Sequence, residues 1–483
     1  MAATTSALPR HLLLVGGASL PAAGDATFEV ADPAGGGLLG TVADAAPVDG
    51  EAAVAAAAEA LPAWRATAPR ERAETLRNAY SLLLEREDEL ARLIALEAGK
   101  LLAEARAEVH YAASFLRWYA EEAVRVNGRL GPAEGGGFDV LTQPRPVGVC
   151  LIVTPWNFPL AMGTRKLGPA LAAGCTAVVK PAEQTPLSML ALGAVLGEAG
   201  LPPGCVNVLP TARPAELVGP LLEDPRVAKL SFTGSTAVGV ELQARSARRV
   251  LRTSLELGGN APFIVRPDAD LELAVEAALL AKLRNGGQAC TAANRFLVDR
   301  RIAAPFAASL ADRMRDLKPG PGLDPASQLG PVIDRAAQEK IQRLVDDARA
   351  AGAELLCGGE VPSGEGTFYP ATVLADVPRQ AAILEEEIFG PVAPIVPVDG
   401  DEEVIALANA TDYGLAAYVI SADVARARAL ARQLEVGMVA INRGLLSDAS
   451  APFGGVKLSG LGREGGPEGM HEYLDLQYLA LPS

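Results

Sequence analysis

From Val147 onward the chain keeps a rhythm that few folds can satisfy: a short apolar run, a turn, a helical segment, then the same again. Val149 to Thr154, Ala177 to Lys180, Val206 to Leu209, Ala228 to Phe232 and Ser254 to Leu257 are the apolar runs, and helical segments carry the chain to Gly174 and Gly200 between them. Strands of that length and apolarity are buried on both faces, and helices placed between them make the connections of a parallel sheet. The expected architecture is therefore α/β, with a doubly wound parallel sheet. Such sheets bind ligands beyond the carboxyl ends of their strands. The residues at those ends are Pro155-Trp156-Asn157, Lys180-Pro181-Ala182-Glu183, Thr233-Gly234-Ser235 and Glu256-Leu257-Gly258-Gly259, all polar or glycine-rich, so the site is expected there.

One sheet does not use up the chain. Its 483 residues exceed the ~250 to 300 at which single cores stop growing, so two or three domains are expected. A second α/β segment spans about Ala261 to Ile441, with helices over Leu271 to Arg284 and Asp334 to Ala351 and strands over Phe296 to Asp299 and Val436 to Ile441. Ahead of both, residues 11 to 45 predict a leading β-hairpin, and Glu51 to Trp64, Pro69 to Ala98 and Leu101 to Val124 carry helical periodicity. Val126 to Arg145, rich in Gly, Pro and polar residues, reads as an extended ribbon.

Charge and cysteine usage exclude several function classes. A formal charge of -15 argues against nucleic-acid or anionic-membrane partners, which reward excess Lys and Arg. No apolar run reaches the ~18 residues of a membrane span, and Leu12-Leu13-Leu14-Val15 after Arg10 is shorter than a signal-peptide core. Cys150, Cys175, Cys205, Cys290 and Cys357 are odd in number and contain no CxxC, so neither a disulfide framework nor a metal site is expected, and the compartment reads as reducing and cytoplasmic. The three histidines, His11, His110 and His471, lie far from Cys290 in sequence, so the base serving a cysteine nucleophile is not expected to be histidine.

Cys290 closes the stretch Arg284-Asn285-Gly286-Gly287-Gln288-Ala289-Cys290, a thiol behind two glycines at the end of an apolar helical pattern. A lone cysteine is more often an inert core residue than a nucleophile, so its neighbours must decide. Two GxGxxG matches, at Gly35, Gly37 and Gly40 and at Gly460, Gly462 and Gly465, do not follow a strand and open a helix; they read as a hairpin turn and a surface loop. Thr233-Gly234-Ser235-Thr236 does follow a strand and open a helix. Its amides and hydroxyls suit a pyrophosphate, or a helix cap at Ser235 or Thr236.

Taken together, Thr154-Pro155-Trp156-Asn157-Phe158-Pro159, Phe232-Thr233-Gly234-Ser235, Glu256-Leu257-Gly258-Gly259-Asn260, Gly287-Gln288-Ala289-Cys290 and Glu387-Ile388-Phe389-Gly390-Pro391 closely resemble the aldehyde dehydrogenase superfamily, in its order and across nearly the whole chain. The resemblance implies that Cys290 is the nucleophile and Glu256 the general base for the hydrolytic water. It makes Asn157, with the Cys290 backbone N–H, the oxyanion donor. It puts Lys180 and Glu387 on the cofactor's ribose hydroxyls, and Trp156, Thr233, Gly234, Ser235, Leu257 and Phe389 against the cofactor. Glu183 suits a ribose 2′-OH and repels a 2′-phosphate, so NAD is expected over NADP.

Within the superfamily the chain looks most like succinate-semialdehyde dehydrogenase, through Thr164-Arg165-Lys166, Arg284-Asn285, Ser447 before Ala451-Pro452-Phe453-Gly454-Gly455, and the tail Ser459 to Gly465. Arg165, Arg284 and Ser447 match that family's clamp for a substrate carboxylate, although Arg165 could equally pair with a neighbouring acid. Arg443, in the loop leading to Ser447, departs from the pattern and could reshape the anionic pocket, and Ala292 stands where relatives often carry a second cysteine. Glutarate semialdehyde, one methylene longer, is the nearest alternative substrate, and a cofactor-free cysteine acyl hydrolase the alternative of another class. The implied organisation is an NAD-binding domain over residues 1–125 and 146–258, a catalytic domain over 259–445, and an oligomerisation arm from 126–145 and 470–483 that assembles homodimers or homotetramers.

Overall fold

The computed structural model of the chain describes residues 10–35 and 37–482. Residues 1–9, Gly36 and Ser483, which the expected domain limits take in, lie outside the described residues.

The five apolar runs pair as parallel neighbours in the order Arg252–Glu256, Val227–Thr233, Val149–Val153, Thr176–Lys180, Val206–Val208. Every residue of Val149–Val153 and of Thr176–Lys180 is buried. The alternation of side chains explains why: Cys150, Ile152, Ala177 and Val179 enter one core, and Val149, Leu151, Val153 and Val178 enter another on the opposite face. Helices cover both faces, which is the doubly wound arrangement expected.

A second sheet of seven strands is built the same way. Phe263, Val265, Phe296 and Val298 pack into one core while Ile264 and Leu297 pack into the other. The two sheets are joined by Leu257-Gly258-Gly259-Asn260, which leaves the carboxyl end of Arg252–Glu256 and enters the amino end of Ala261–Val265. A separate three-stranded sheet pairs Phe138–Pro146 with Arg129–Pro132 on one side and the tail strand Leu474–Pro482 on the other. No helix among the described residues is long and apolar enough to cross a membrane.

Three expectations are corrected. Residues 11 to 45 form not one hairpin but two, Leu13–Val15 with Ala18–Leu20 at the edge of the first sheet and Thr27–Ala31 with Leu38–Ala43 in a small sheet that Arg10–His11 completes. The helical stretch from Pro69 to Ala98 breaks at Arg86 into Pro69–Glu85 and Glu87–Ala98. Gly460 is no surface loop residue: Gly460–Leu461 pairs antiparallel with Leu255 and Glu256, and Gly460 and Gly465 are buried.

Candidate active site

The strand register sets the site. Val153 lies opposite Lys180 on one side and Phe232 on the other, and Thr233 lies opposite Glu256, so the polar termini form one row along the carboxyl edge of the first sheet. Facing that row are two turns that precede strands of the second sheet: Arg284–Cys290 ahead of Ala293–Asp299, and Glu387–Phe389 ahead of Val392–Val398. A cavity of ≈ 290 Å³ opens between them, walled by Trp156, Asn157, Thr233, Gly234, Ser235 and Leu257 from the first sheet. Cys290, Glu387, Phe389, Arg284, Ser447 and Arg165 complete the wall. Glu256, Lys180 and Glu183 stand outside it. Lys180 instead pairs with Glu183 at 3.2 Å.

The turn leading to Cys290 is built from three consecutive left-handed residues, Asn285 (φ 53°), Gly286 (φ 62°) and Gly287 (φ 78°). At Gly287 a β-carbon would drive into the Gly390 carbonyl, so this position admits no side chain. Gln288 locks the turn: its Nε2 donates to the Asn285 carbonyl at 3.1 Å and its Oε1 accepts from Ile333 N–H at 2.8 Å. Tyr418 donates its hydroxyl to the Thr291 carbonyl at 2.7 Å and fixes the far side. Cys290 is half-buried, whereas the other four cysteines are buried. Burial pushes its thiol up to about 12; Arg165 and Arg284 pull it down, and Glu387 and Glu256 push it further up.

Asn157 lies across the turn from the thiol. Its Nδ2 donates to the Gln288 carbonyl at 3.0 Å, which fixes the amide orientation and leaves its second N–H undirected by that bond. Glu256 is buried behind the wall, 3.0 Å from where a β-carbon on Gly454 would sit, and its Oε2 has no partner. Burial first, and then the neighbouring Glu464, push its carboxyl well above the ordinary range. Glu387 accepts from Gly259 N–H at 3.0 Å, and burial raises its carboxyl to about 7.

The two arginines on the cavity wall differ. Arg165 forms a buried ion pair with Glu464 at 2.7 Å and stacks over Phe453 at 3.8 Å, so the alternative pairing with a neighbouring acid holds, with its guanidinium still on the wall. Among the described residues Arg284 has no ion-pair partner. It donates to Ser447 Oγ at 3.2 Å and rests over Phe158 at 4.7 Å and Tyr111 at 5.7 Å. Arg443 is exposed and off the wall, with its charge acting on Asp448.

The helix Thr236–Ala247 begins at the cavity. Ser235 occupies its N-cap position without a side-chain cap, so its first-turn amides stay open toward the wall, while Thr236 Oγ1 accepts from Gly258 N–H at 3.2 Å. Trp156 and Phe389 meet edge to face at 5.4 Å, with Phe389 itself at φ 55°.

Sequence reasoning missed Tyr111, Phe158 and Phe453 as arginine supports, Lys340, whose Nζ donates to the Glu387 carbonyl at 2.7 Å, and Glu464. Phe158, Phe453 and Glu464 sit inside quoted motifs, so proximity to them was the available signal. Tyr111 and Lys340 lie on helices with periodicity only.

Residues 20–479 match the model of the Aldehyde dehydrogenase family. The chain is 53% identical to a succinate-semialdehyde dehydrogenase of Paenarthrobacter nicotinovorans over 92% of its own length and 99% of the relative's. It is 47% identical to a glutarate-semialdehyde dehydrogenase of Pseudomonas putida over 98% of both chains. Its structure superposes on that of an Escherichia coli NADP-dependent enzyme with a TM-score of 0.96, at 46% identity and covering 98% of each chain.

Proposed function

Since the chain belongs to the aldehyde dehydrogenase family, whose members are NAD(P)-dependent oxidoreductases acting on aldehydes, we propose that it oxidises succinate semialdehyde to succinate with NAD through a covalent cysteine intermediate. The observation that carries this reading is the meeting of Cys290, Asn157, Arg284 and Ser447 on the wall of one cavity, a thiol together with an uncommitted guanidinium and a hydroxyl. That combination suits an aldehyde that also carries a carboxylate.

The open first-turn amides of Thr236–Ala247, the narrow passage at Gly258 and the buried acceptor Glu387 fit a dinucleotide. When bound, it supplies the two-electron acceptor. The chain's residues do the rest. Cys290 Sγ adds to the carbonyl carbon after losing its proton, and the carbonyl oxygen takes up negative charge against the Asn157 amide and the Cys290 N–H. Once the adduct has lost its hydride it is a thioester, and water cleaves the carbon–sulfur bond. Glu256, in its carboxylate form, takes the water proton, and the sulfur leaves as the Cys290 thiolate. Arg284 and Ser447 hold the substrate carboxylate throughout. Glu183, beside Lys180 near the strand ends, is assigned to the adenosine ribose and favours NAD. The Pseudomonas putida relative supports glutarate semialdehyde as a second substrate, because one methylene discriminates by only ~1 to 3 kcal/mol.

We further assign residues 1–125 and 146–258 to cofactor binding and 259–445 to catalysis. The arm of 126–145 and 470–483 is assigned to homodimer or homotetramer assembly, on the support of exposed Leu130, Leu476 and Tyr478. The test of the activity is NADH absorbance across aliphatic, aromatic and ω-carboxylated aldehydes with each cofactor. The expected result is selective turnover of four- and five-carbon semialdehydes with NAD, abolished in Cys290→Ala. Ester cleavage without cofactor and no aldehyde-dependent absorbance would overturn it in favour of an acyl hydrolase.

A further inference from the structure

Between Ala98 and the first turns of the helix Leu102–Glu122 the chain carries a buried lysine, a buried acid and a half-buried acid that the reaction itself does not use. Lys100 and Glu108 have no side-chain exposure and form an ion pair. A buried pair of this kind seldom stabilises a fold more than apolar side chains of the same size would, so its presence calls for another reason. The partners supply one. Lys100 Nζ also donates to the Asn157 carbonyl at 2.8 Å and lies 4.2 Å from the centre of the Phe158 ring. Glu108 Oε1 accepts from Leu160 N–H at 3.0 Å and Ala161 N–H at 3.2 Å, capping the helix Ala161–Ala173, whose own N-cap residue, Leu160, has no side chain able to do so. Four residues from Glu108 in the same helix, Glu104 Oε1 accepts from Asn285 N–H at 2.7 Å.

These contacts hold both turns of the site. The Asn157 carbonyl receives Lys100 Nζ and Asn285 Nδ2 (3.0 Å), and the Gln288 carbonyl receives Asn285 Nδ2 (3.1 Å) and Asn157 Nδ2 (3.0 Å). The turn carrying Asn157 comes from the first sheet and the turn carrying Cys290 from the second, and residues 100–108 hydrogen-bond to both. We propose that Lys100, seated by Glu108, is a positioning residue that sets the Asn157 amide against the nucleophile turn and so determines how well the oxyanion is met. The proposal rests on the reading of Asn157 as the oxyanion donor.

Displacing a catalytic group by about 1 Å costs roughly 100-fold in rate, and removing an oxyanion donor roughly 100- to 1,000-fold. Lys100→Met is therefore expected to lower kcat by roughly 10- to 100-fold while the KM for NAD stays within about twofold. In an Asn157→Ala background the same substitution is expected to cost less than about twofold, because the donor it positions is gone. Lys100→Met leaves Glu108 unpaired, so Lys100→Met/Glu108→Gln, which carries no buried charge there, is measured beside it, with melting temperatures for all variants. Three results overturn the proposal: unchanged kcat in folded Lys100→Met, equal losses with and without Asn157, or melting of both Lys100 variants below the assay temperature, which makes the pair a stability element only. Near wild-type kcat in Asn157→Ala alone overturns the oxyanion reading instead, and the two failures are told apart.

Discussion

Replacing Arg284 with Met separates the two arginines of the cavity. Arg165 is already committed to Glu464 at 2.7 Å, whereas Arg284 meets only the Ser447 hydroxyl and two aromatic rings, so its guanidinium is the charge left for a substrate carboxylate. A hydrogen bond to a charged group contributes about 1.5 to 3 kcal/mol, and each 1.4 kcal/mol is tenfold, so kcat/KM for succinate semialdehyde should fall about 10- to 150-fold. Butanal has the same chain length and no carboxylate, and its kcat/KM should change by less than about threefold, the residue of lost packing on Phe158. Ser447→Ala, which removes a neutral donor worth about 1 kcal/mol, should cost about fivefold for the semialdehyde alone. Arg165→Met is the contrast. It leaves the buried Glu464 carboxylate, beside Glu256, to Lys166 alone and should depress both substrates alike. The assay is initial NADH formation over a substrate series at saturating cofactor. Equal losses for semialdehyde and butanal in Arg284→Met would refute the clamp.

The remaining expectations concern pH, cofactor and backbone. With the Cys290 thiol pushed up to about 12 by burial, its alkylation by iodoacetamide without cofactor should rise about tenfold per pH unit from pH 7 to 9 with no plateau, which pseudo-first-order inactivation reads. Burial lowers Lys282 to about 7 from 10.5, and its Nζ has no hydrogen-bond partner among the described residues. Its cost to the fold is then full below pH 7 and gone above the unfolded value. Lys282→Met should stabilise the protein at pH 7, and by about 2 kcal/mol less at pH 9, measured by denaturant unfolding at both. Glu183→Ser should raise kcat/KM with NADP by about tenfold or more relative to NAD; equal initial rates of the unsubstituted protein with low NAD and low NADP would undo the ribose assignment. Gly287→Ala places a β-carbon on the Gly390 carbonyl at a left-handed φ, and it should abolish activity and lower the melting temperature, by more than Gly197→Ala, where the space is open.

The sequence by itself determined the first sheet and the location of its chemistry. Val149–Val153 and Thr176–Lys180 could be read because a strand buried on both faces is apolar throughout, and the polar residues that end each run mark where the strand meets ligand. Cys290, Asn157 and the Thr233-Gly234-Ser235 turn were legible as candidates through local motifs whose order resembles the aldehyde dehydrogenase superfamily. What only the tertiary structure decided is what lies across a gap of fifty residues or more. Glu464 takes Arg165 out of the clamp from 299 positions away, and Lys100 reaches Asn157 from 57. Phe158 and Tyr111 become the bed of Arg284 because two sheets close over them. Ion pairing and ring contact depend on distance in space, and periodicity along the chain carries no record of it. Which of two similar arginines is free was therefore settled by the fold.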